Sequence, residues 1–407
     1  MNTCLTIDVM RLHEDVELSP GPAAGGPRVL VACDKFKGSL TSSEVAGHLA
    51  LGLARAGVGS VDVVPVADGG DGSIEVALAA GGRAVDIDAE DVDGRIRSTT
   101  IAVLGDGRAV VEVARVCGLG SRRPTGAAAL RATSRGVGTA IRAALDRGAL
   151  TIVLAVGGTA SSDGGAGLVQ ALGGRLAGPD GRDLPPGAAA LLELADVDLT
   201  GIDARLRDTR LVVASDVDNP LLGARGAAAV YGPQKGAGPA EVALLEQALA
   251  RWSALADPTV AAAPGAGAGG GIGFGALLLG GEVRSGAEHF LDLIDLDARI
   301  AAADLVVTGE GGLDEQSLHG KAPVAVAARA RAAGVPVRAV VGRCDLDPGR
   351  WRSAGLSAVD ALTDLDPRCA QDADLSRRLL EEVGERLGRD LLAAAAPAAA
   401  PAAPPAP

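Results

Sequence analysis

Aromatic side chains are almost missing from this chain: Phe36, Phe274, Phe290, Tyr231, Trp252 and Trp351 are all there are in 407 residues. A core must therefore be assembled from Ala, Val, Leu and Ile, which suits a sheet covered by helices on both faces. Positive charge is short as well. Lys and Arg number 38 against 51 Asp and Glu, a formal net charge of -13, and the clustered Lys and Arg that nucleic-acid phosphates require are not found. Cys4, Cys33, Cys117, Cys344 and Cys369 are odd in number and form no C-x-x-C pair for zinc or thiol exchange. They read as reduced thiols in a cytoplasm. No run approaches the roughly 18 apolar residues of a membrane span, and the first 27 residues lack the basic start and apolar stretch of a secretory signal.

Several motifs are missing too. Gly320-Lys321 is followed by Ala322, and Glu315 stands where the first glycine of a P-loop belongs, which excludes that class of kinase. The stretch PGAGAGGGIGFG matches G-x-G-x-x-G at Gly265, Gly267 and Gly270, but no strand precedes it, so dinucleotide binding is rejected. Backbone approach of Gly269, Gly270 and Gly271 to a phosphate, or a flexible lid, stays open. Ser161 and Ser162 have no G-x-S-x-G elbow, and His289 and His319 lack partners at metal-ligand spacing.

What the chain does have is one unit repeated: a short apolar strand, a Gly-rich acidic turn, a helix. Residues 29–33 lead into Asp34, Lys35, Lys37, Gly38 and Ser39, then the capping box Thr41-Ser42-Ser43-Glu44 with Val45, Leu49 and Leu53 on one helical face. Residues 61–67 run into Asp68-Gly-Gly-Asp71-Gly-Ser73. Residues 151–156 end at GGTASSDGGAG, residues 211–214 at Ser215-Asp216-Val217-Asp218-Asn219, and residues 305–307 at the turn carrying Glu310, Asp314 and Glu315. Each acid alone is an ordinary turn former, but five strands ending at Asp34, Asp68, Asp163, Asp216 and Glu310 put carboxylates where open α/β sheets bind ligands. With Lys37, Lys235 and Lys321 they make a set suited to Mg²⁺ and nucleotide phosphates.

Between the opening and closing units the texture changes. STTIAVLGDGRAVVEVA alternates as an antiparallel hairpin turning at Gly105-Asp106-Gly107. The expected organisation is an extension over residues 1–27, an α/β domain of residues 28–85 plus 286–392, an inserted mixed-sheet α/β domain of residues 86–285, and an Ala/Pro-rich tail over residues 393–407. The outer segments are expected to form one doubly wound, Rossmann-like parallel sheet.

Six blocks, ACDKFKGSLTSSEVA, PVADGGDGS, VGGTASSDGGAGLVQALGG, SDVDNPLLGARGAAAVYGPQKGA, PGAGAGGGIGFG and TGEGGLDEQSLHGKAPVAVA, resemble in content and order the type 1 glycerate kinase family. The resemblance implies ATP-dependent phosphorylation of D-glycerate at its 2-hydroxyl by a two-domain α/β protein, in a cleft between the domains. Its alternatives are a kinase for another small hydroxy acid and an inactive nucleotide- or sugar-acid-binding sensor. Carried over by block, the polar positions fall on Asp34, Lys37, Ser39, Asp68, Asp71, Asp163, Asp216, Asn219, Gln234, Lys235, Glu310, Asp314 and Lys321. The expected roles are Mg²⁺ on Asp68, Asp216 and Glu310; Lys37 and Lys321 on phosphates; and Asp216 or Asp314 as base. Asp34, Lys35, Ser39, Asp71, Asp163, Asn219, Gln234, Lys235 and the glycines 269–271 would contact substrate or ATP. The chain departs from the family's usual residues at Lys35 (Ser), at Asp71 (Glu), at Thr159, Ser161 and Ser162, and at Gly312 (Arg). Lys35 is the expected stand-in for the charge missing at Gly312.

Overall fold

The structure, a computed structural model, describes residues 26–120 and 124–395. Most of the expected N-terminal extension and Ala/Pro tail lies outside the described residues. Residues 393–395 continue the last helix, Ala373–Ala395, because its prolines begin only at Pro397. No helix among the described residues is long and apolar enough to cross a membrane.

The strands in chain order are β1 (Arg28–Cys33), β2 (Ser60–Pro65), β3 (Arg83–Glu90), β4 (Ile96–Val103), β5 (Arg108–Glu112), β6 (Thr151–Ala155), β7 (Arg175–Ala177), β8 (Asp196–Asp198), β9 (Arg210–Ala214), β10 (Glu282–Arg284), β11 (Leu305–Gly309), β12 (Gly312–Leu313), β13 (Val337–Val341), β14 (Arg343–Cys344) and β15 (Ala358–Ala361). They fall into two compact units. The first comprises the described parts of Met1–Pro65, Asp295–Leu318 and Pro323–Pro407, and the second comprises those of Val66–Ile294 and His319–Ala322.

In the first unit a five-stranded parallel sheet runs in the order β15-β13-β11-β1-β2. Counted along the unit's own chain this is order 2-1-3-4-5, the doubly wound arrangement whose winding reverses between its first and third strands, here β1 and β11. The helix Ser42–Arg55 carries the expected capping box. The Glu44 N–H donates to Thr41 Oγ1 at 3.2 Å, the Thr41 N–H donates to Glu44 Oε2 at 2.8 Å, and Val45, Leu49 and Leu53 are buried.

The second unit holds a six-stranded mixed sheet in the order β10-β9-β6-β5-β4-β3. β5, β6, β9 and β10 are parallel, and the β4–β5 hairpin is antiparallel as its alternation requires. Trp252 and Phe274 meet edge to face at 5.7 Å inside its aliphatic core. Sequence spacing puts residues 66–85 with the first domain, but their contacts belong to the second unit. The helix Ser73–Ala79 packs on β3, β4 and β5, and Glu112 at the end of β5 accepts the Ile74 N–H at 3.0 Å. The glycine-rich stretch is also more ordered than a lid. Residues 268–278 form a helix interrupted at Gly269, Gly270 and Gly271, whose φ values are 59°, 69° and 91°, and Ile272, Phe274 and Ala276 anchor it in the core.

Candidate active site

In the first unit the register pairs Cys33 with Gly309, so Asp34 and Glu310 are the next residues out at the winding reversal. The Asp34 N–H donates to Gly309 O at 2.8 Å, and both side chains are buried. Phe36, itself buried, closes the turn by exchanging N–H and C=O with Leu40, which leaves Lys37, Gly38 and Ser39 exposed on top. The Lys35 ammonium turns back to Asp34 Oδ1 at 3.4 Å. The space beside Gly312 is taken from another direction: β12 pairs with β14, and a Cβ built on Gly312 would stand 3.2 Å from Arg343 Nε. Asp314 spends Oδ1 on the N–H groups of Gln316 (2.9 Å) and Ser317 (3.2 Å).

In the second unit, residues 68–73 and the loops after β6, β9 and β10 meet through glycines. The Gly157 N–H donates to Gly69 O at 3.0 Å, and a Cβ on Gly157 would lie 2.5 Å from the Gly70 α-carbon. A Cβ on Gly158 would reach Asp71 Oδ1 at 3.0 Å, and one on Gly286 would strike the Asp68 carbonyl. Only backbone fits between these loops, and that close seating presents Asp68 and Asp71, both half-buried. Asp216 Oδ1 accepts the Ser285 hydroxyl at 2.7 Å and the Gly286 N–H at 2.9 Å, while Oδ2 accepts the Ala287 N–H at 3.3 Å. Burial raises its carboxyl above the ordinary range and neighbouring Asp68 adds to the rise, against those donors.

Other expected site residues face inward. Asp163 is fully buried and accepts the Ser134 N–H (2.8 Å) and hydroxyl (3.0 Å) and the N–H groups of Gly165 and Gly167 (both 3.3 Å), joining the starts of helices Arg135–Leu145 and Ala166–Ala171. Lys235 is buried too, with its ammonium donating to Ser161 O at 2.6 Å. The glycines 269–271 are packed from within: a Cβ on Gly271 would lie 2.5 Å from the Gly164 α-carbon, and one on Gly270 would meet the Ser161 carbonyl. Asn219 links Arg225 O and the Tyr231 hydroxyl at 2.7 and 2.6 Å; Gln234 is exposed, and Lys321 is half-buried just ahead of helix Ala322–Ala332. His289 stands edge-on to Phe290 at 5.5 Å, and burial lowers its proton affinity. Among the described residues no three His, Cys, Asp or Glu form a group that could hold a metal ion.

Glu112, Ser285 and Arg343 escape a sequence reading. Glu112 ends a strand just as Asp34 does, and S-G-A-E at residues 285–288 carries the spacing of a helix cap, so both leave a signal. Arg343 leaves none, because its nearness to Gly312 comes from strand pairing alone.

The glycerate kinase family model matches residues 29–392. This chain belongs to the glycerate kinase family. Among its relatives, a glycerate kinase of Bacillus subtilis (strain 168) is 37% identical over 380 residues, covering 90% of this chain and 97% of the relative. A glycerate 2-kinase of Escherichia coli (strain K12) is 38% identical over 340 residues, covering 82% and 89%. A crystal structure provisionally named glycerate kinase 2, from Salmonella typhimurium LT2, superposes with a TM-score of 0.77 at 34% identity, covering 91% of this chain and 99% of that one.

Proposed function

We propose that this glycerate kinase moves the γ-phosphoryl group of ATP to the 2-hydroxyl of D-glycerate, releasing 2-phosphoglycerate and ADP. The observation that carries the reading is the family match over residues 29–392. The acids at strand ends in both units support it, since phosphoryl transfer needs little from a protein beyond positioning and charge.

The base assigned here is Asp314. Its Oδ1 holds the turn while no hydrogen bond commits Oδ2, so a lone pair remains to accept the hydroxyl proton. Lys37, Lys321 and the exposed Ser39 would face phosphate oxygens, and Asp34, Lys35, Asp71, Asn219 and Gln234 would orient the two substrates. The oxygen-only donors fit Mg²⁺, which commonly keeps one or two protein carboxylates and takes its other ligands from phosphates and water. Asp68 and Asp216, close enough for one to feel the other's charge, are the pair that would hold it; bound there, the ion would offset charge on the nucleotide phosphates. Asp163, Lys235 and the glycines 269–271 act through the fold. The free thiols among the described residues suit a reducing cytoplasm.

The test is ³¹P NMR of the protein with ATP, Mg²⁺ and D-glycerate. The expected spectrum shows ADP and a phosphomonoester on carbon 2. ADP without a glycerate ester, or no ADP, would overturn the reading.

A further inference from the structure

Lys235 is an unusual place for an ammonium. It ends the short turn Pro233–Lys235, the residue is 3% exposed, and among the described residues the one oxygen its ammonium bonds is the Ser161 carbonyl at 2.6 Å. A Cβ on Gly270 would stand 2.6 Å from Nζ, so the ammonium sits where the turn 269–271 and the loop after β6 come together. Those segments are also joined by the Gly164 N–H donating to Gly270 O at 3.1 Å. On its other side the same loop is tied to residues 117–119, through Ala160 N–H to Cys117 O at 2.9 Å and Leu119 N–H to Gly158 O at 3.2 Å. Held from both sides, residues 157–163 carry Gly157 and Gly158 against the strip presenting Asp68 and Asp71.

We propose that Lys235 is a positioning residue: its buried ammonium clamps the loop after β6 and so seats residues 68–71 for phosphoryl transfer, without itself touching the nucleotide. This deepens the glycerate kinase reading and rests on it. Burial of an ammonium is costly unless it is compensated, and a buried titratable group with a perturbed proton affinity beside a site is a candidate for a functional role. The titratable groups around it are few. Asp163 supplies the opposite charge, Cys117 stays a thiol because burial pushes it up to about 12, and Asp93 lines the same small cavity of about 50 Å³ with Val92, Leu119 and Ala160 while pairing with Arg95. Burial lowers the Lys235 ammonium to about 8. The clamp therefore carries its charge at neutral pH and loses it under mildly alkaline conditions.

The experiment has two arms. In the first, Lys235→Gln and Lys235→Met are compared with the unaltered enzyme from pH 6.5 to 9.5. The expected result is a fall in kcat of about tenfold or more at pH 7, KM for ATP and for glycerate within about twofold, and loss of an alkaline limb near pH 8 that the unaltered enzyme shows. Unchanged kcat, or a KM for ATP raised tenfold with kcat retained, would overturn the proposal, the latter pointing to direct contact with phosphate. In the second arm the unaltered protein is acetylated with trace acetic anhydride across the same pH range and Lys235 is followed by mass spectrometry, with and without ATP. An unchanged midpoint supports the clamp, and an ATP-induced upward shift overturns it. This arm requires neither a folded variant nor turnover, so a failure of the glycerate reading is told apart from a failure of the clamp.

Discussion

Gly157→Ala tests the seating of the loops most directly. The new Cβ would begin 2.5 Å from the Gly70 α-carbon, whereas non-bonded carbons settle about 3.5–4.0 Å apart. The loops must therefore part by roughly 1 Å or more. Gly157 does not adopt a positive φ, so alanine brings no backbone penalty of its own and the effect is one of contact. Parting stretches the Gly157 N–H to Gly69 O bond from 3.0 Å, losing about 1 kcal/mol, and overpacking adds about 1–3 kcal/mol. Together these predict a loss of about 2–4 kcal/mol in urea unfolding. The same displacement moves Asp68 and Asp71, and an error of about 1 Å in a catalytic constellation can lower turnover by about 10²-fold. ADP release at saturating ATP and glycerate measures it. Gly105→Ala, with nothing within 4 Å of its Cβ, is the control and should match the unaltered enzyme in both assays. If Gly157→Ala keeps kcat within threefold of the unaltered enzyme, the glycine contact does not position the site.

Three further perturbations address separate parts of the structure. Arg343→Ala should raise KM for glycerate about tenfold or more, the effect of removing a charge-assisted hydrogen bond worth about 1.5–3 kcal/mol. Lys35→Ala should do less, because its ammonium is turned back to the buried Asp34, whereas the Arg343 partner Asp345, at 3.2 Å, is exposed and the pair is weakened by solvent. Steady-state kinetics ranks the two, and the reverse order would refute a role for Arg343 in place of the arginine missing at Gly312. Glu112→Ala removes the acceptor of the Ile74 N–H from a site only 3% exposed, so unfolding should be easier by about 1.5–3 kcal/mol, with a fall in kcat as residues 68–73 loosen; an active, equally stable variant contradicts this. For Lys235 the folded ammonium, lowered to about 8 from 10.5, sheds its proton before the unfolded one does. Stability should thus rise with pH between those values, and the unaltered protein should gain about 2 kcal/mol on Lys235→Met from pH 7.5 to 9.5 in urea titrations.

Much of this was written locally. A run such as RVLVAC between a polar turn and a capping box can hardly be anything but a buried strand feeding a helix, and β1, β2, β6, β9 and β11 all lie where such runs predict. Two readings failed for reasons that are not local. A flexible lid is one of the options for residues 264–275 because glycine dominates them, yet residues 268–278 form a helix whose Ile272 and Phe274 sit in the core among segments far along the chain. Residues 66–85 resemble the unit before them in pattern, while the Glu112 that binds the Ile74 N–H comes 38 positions later. Beside Gly312 the structure also places a guanidinium, that of Arg343, in a strand that only folding brings there.

An acid at the end of a strand can hold the structure or do chemistry, and its hydrogen bonds decide which. Asp163 has four donors directed at it from inside the unit, and Glu112 takes the Ile74 N–H and the Arg115 guanidinium. Burial raises both carboxyls, yet neither can accept a substrate proton without surrendering a bond that fastens a helix start. Asp216 is intermediate, with Oδ1 doubly engaged and Oδ2 held by one long bond; an incoming cation could share Oδ2 while Ser285 keeps the group in place. Asp314 alone of this series ties its turn with one oxygen and leaves the other uncommitted. These four acids therefore divide by donor count into two tied to the fold through both oxygens, Asp163 and Glu112, and two with an oxygen less engaged, Asp216 and Asp314, which are the ones proposed for the cation and for the proton. The division follows from which loops the sheets bring alongside each one.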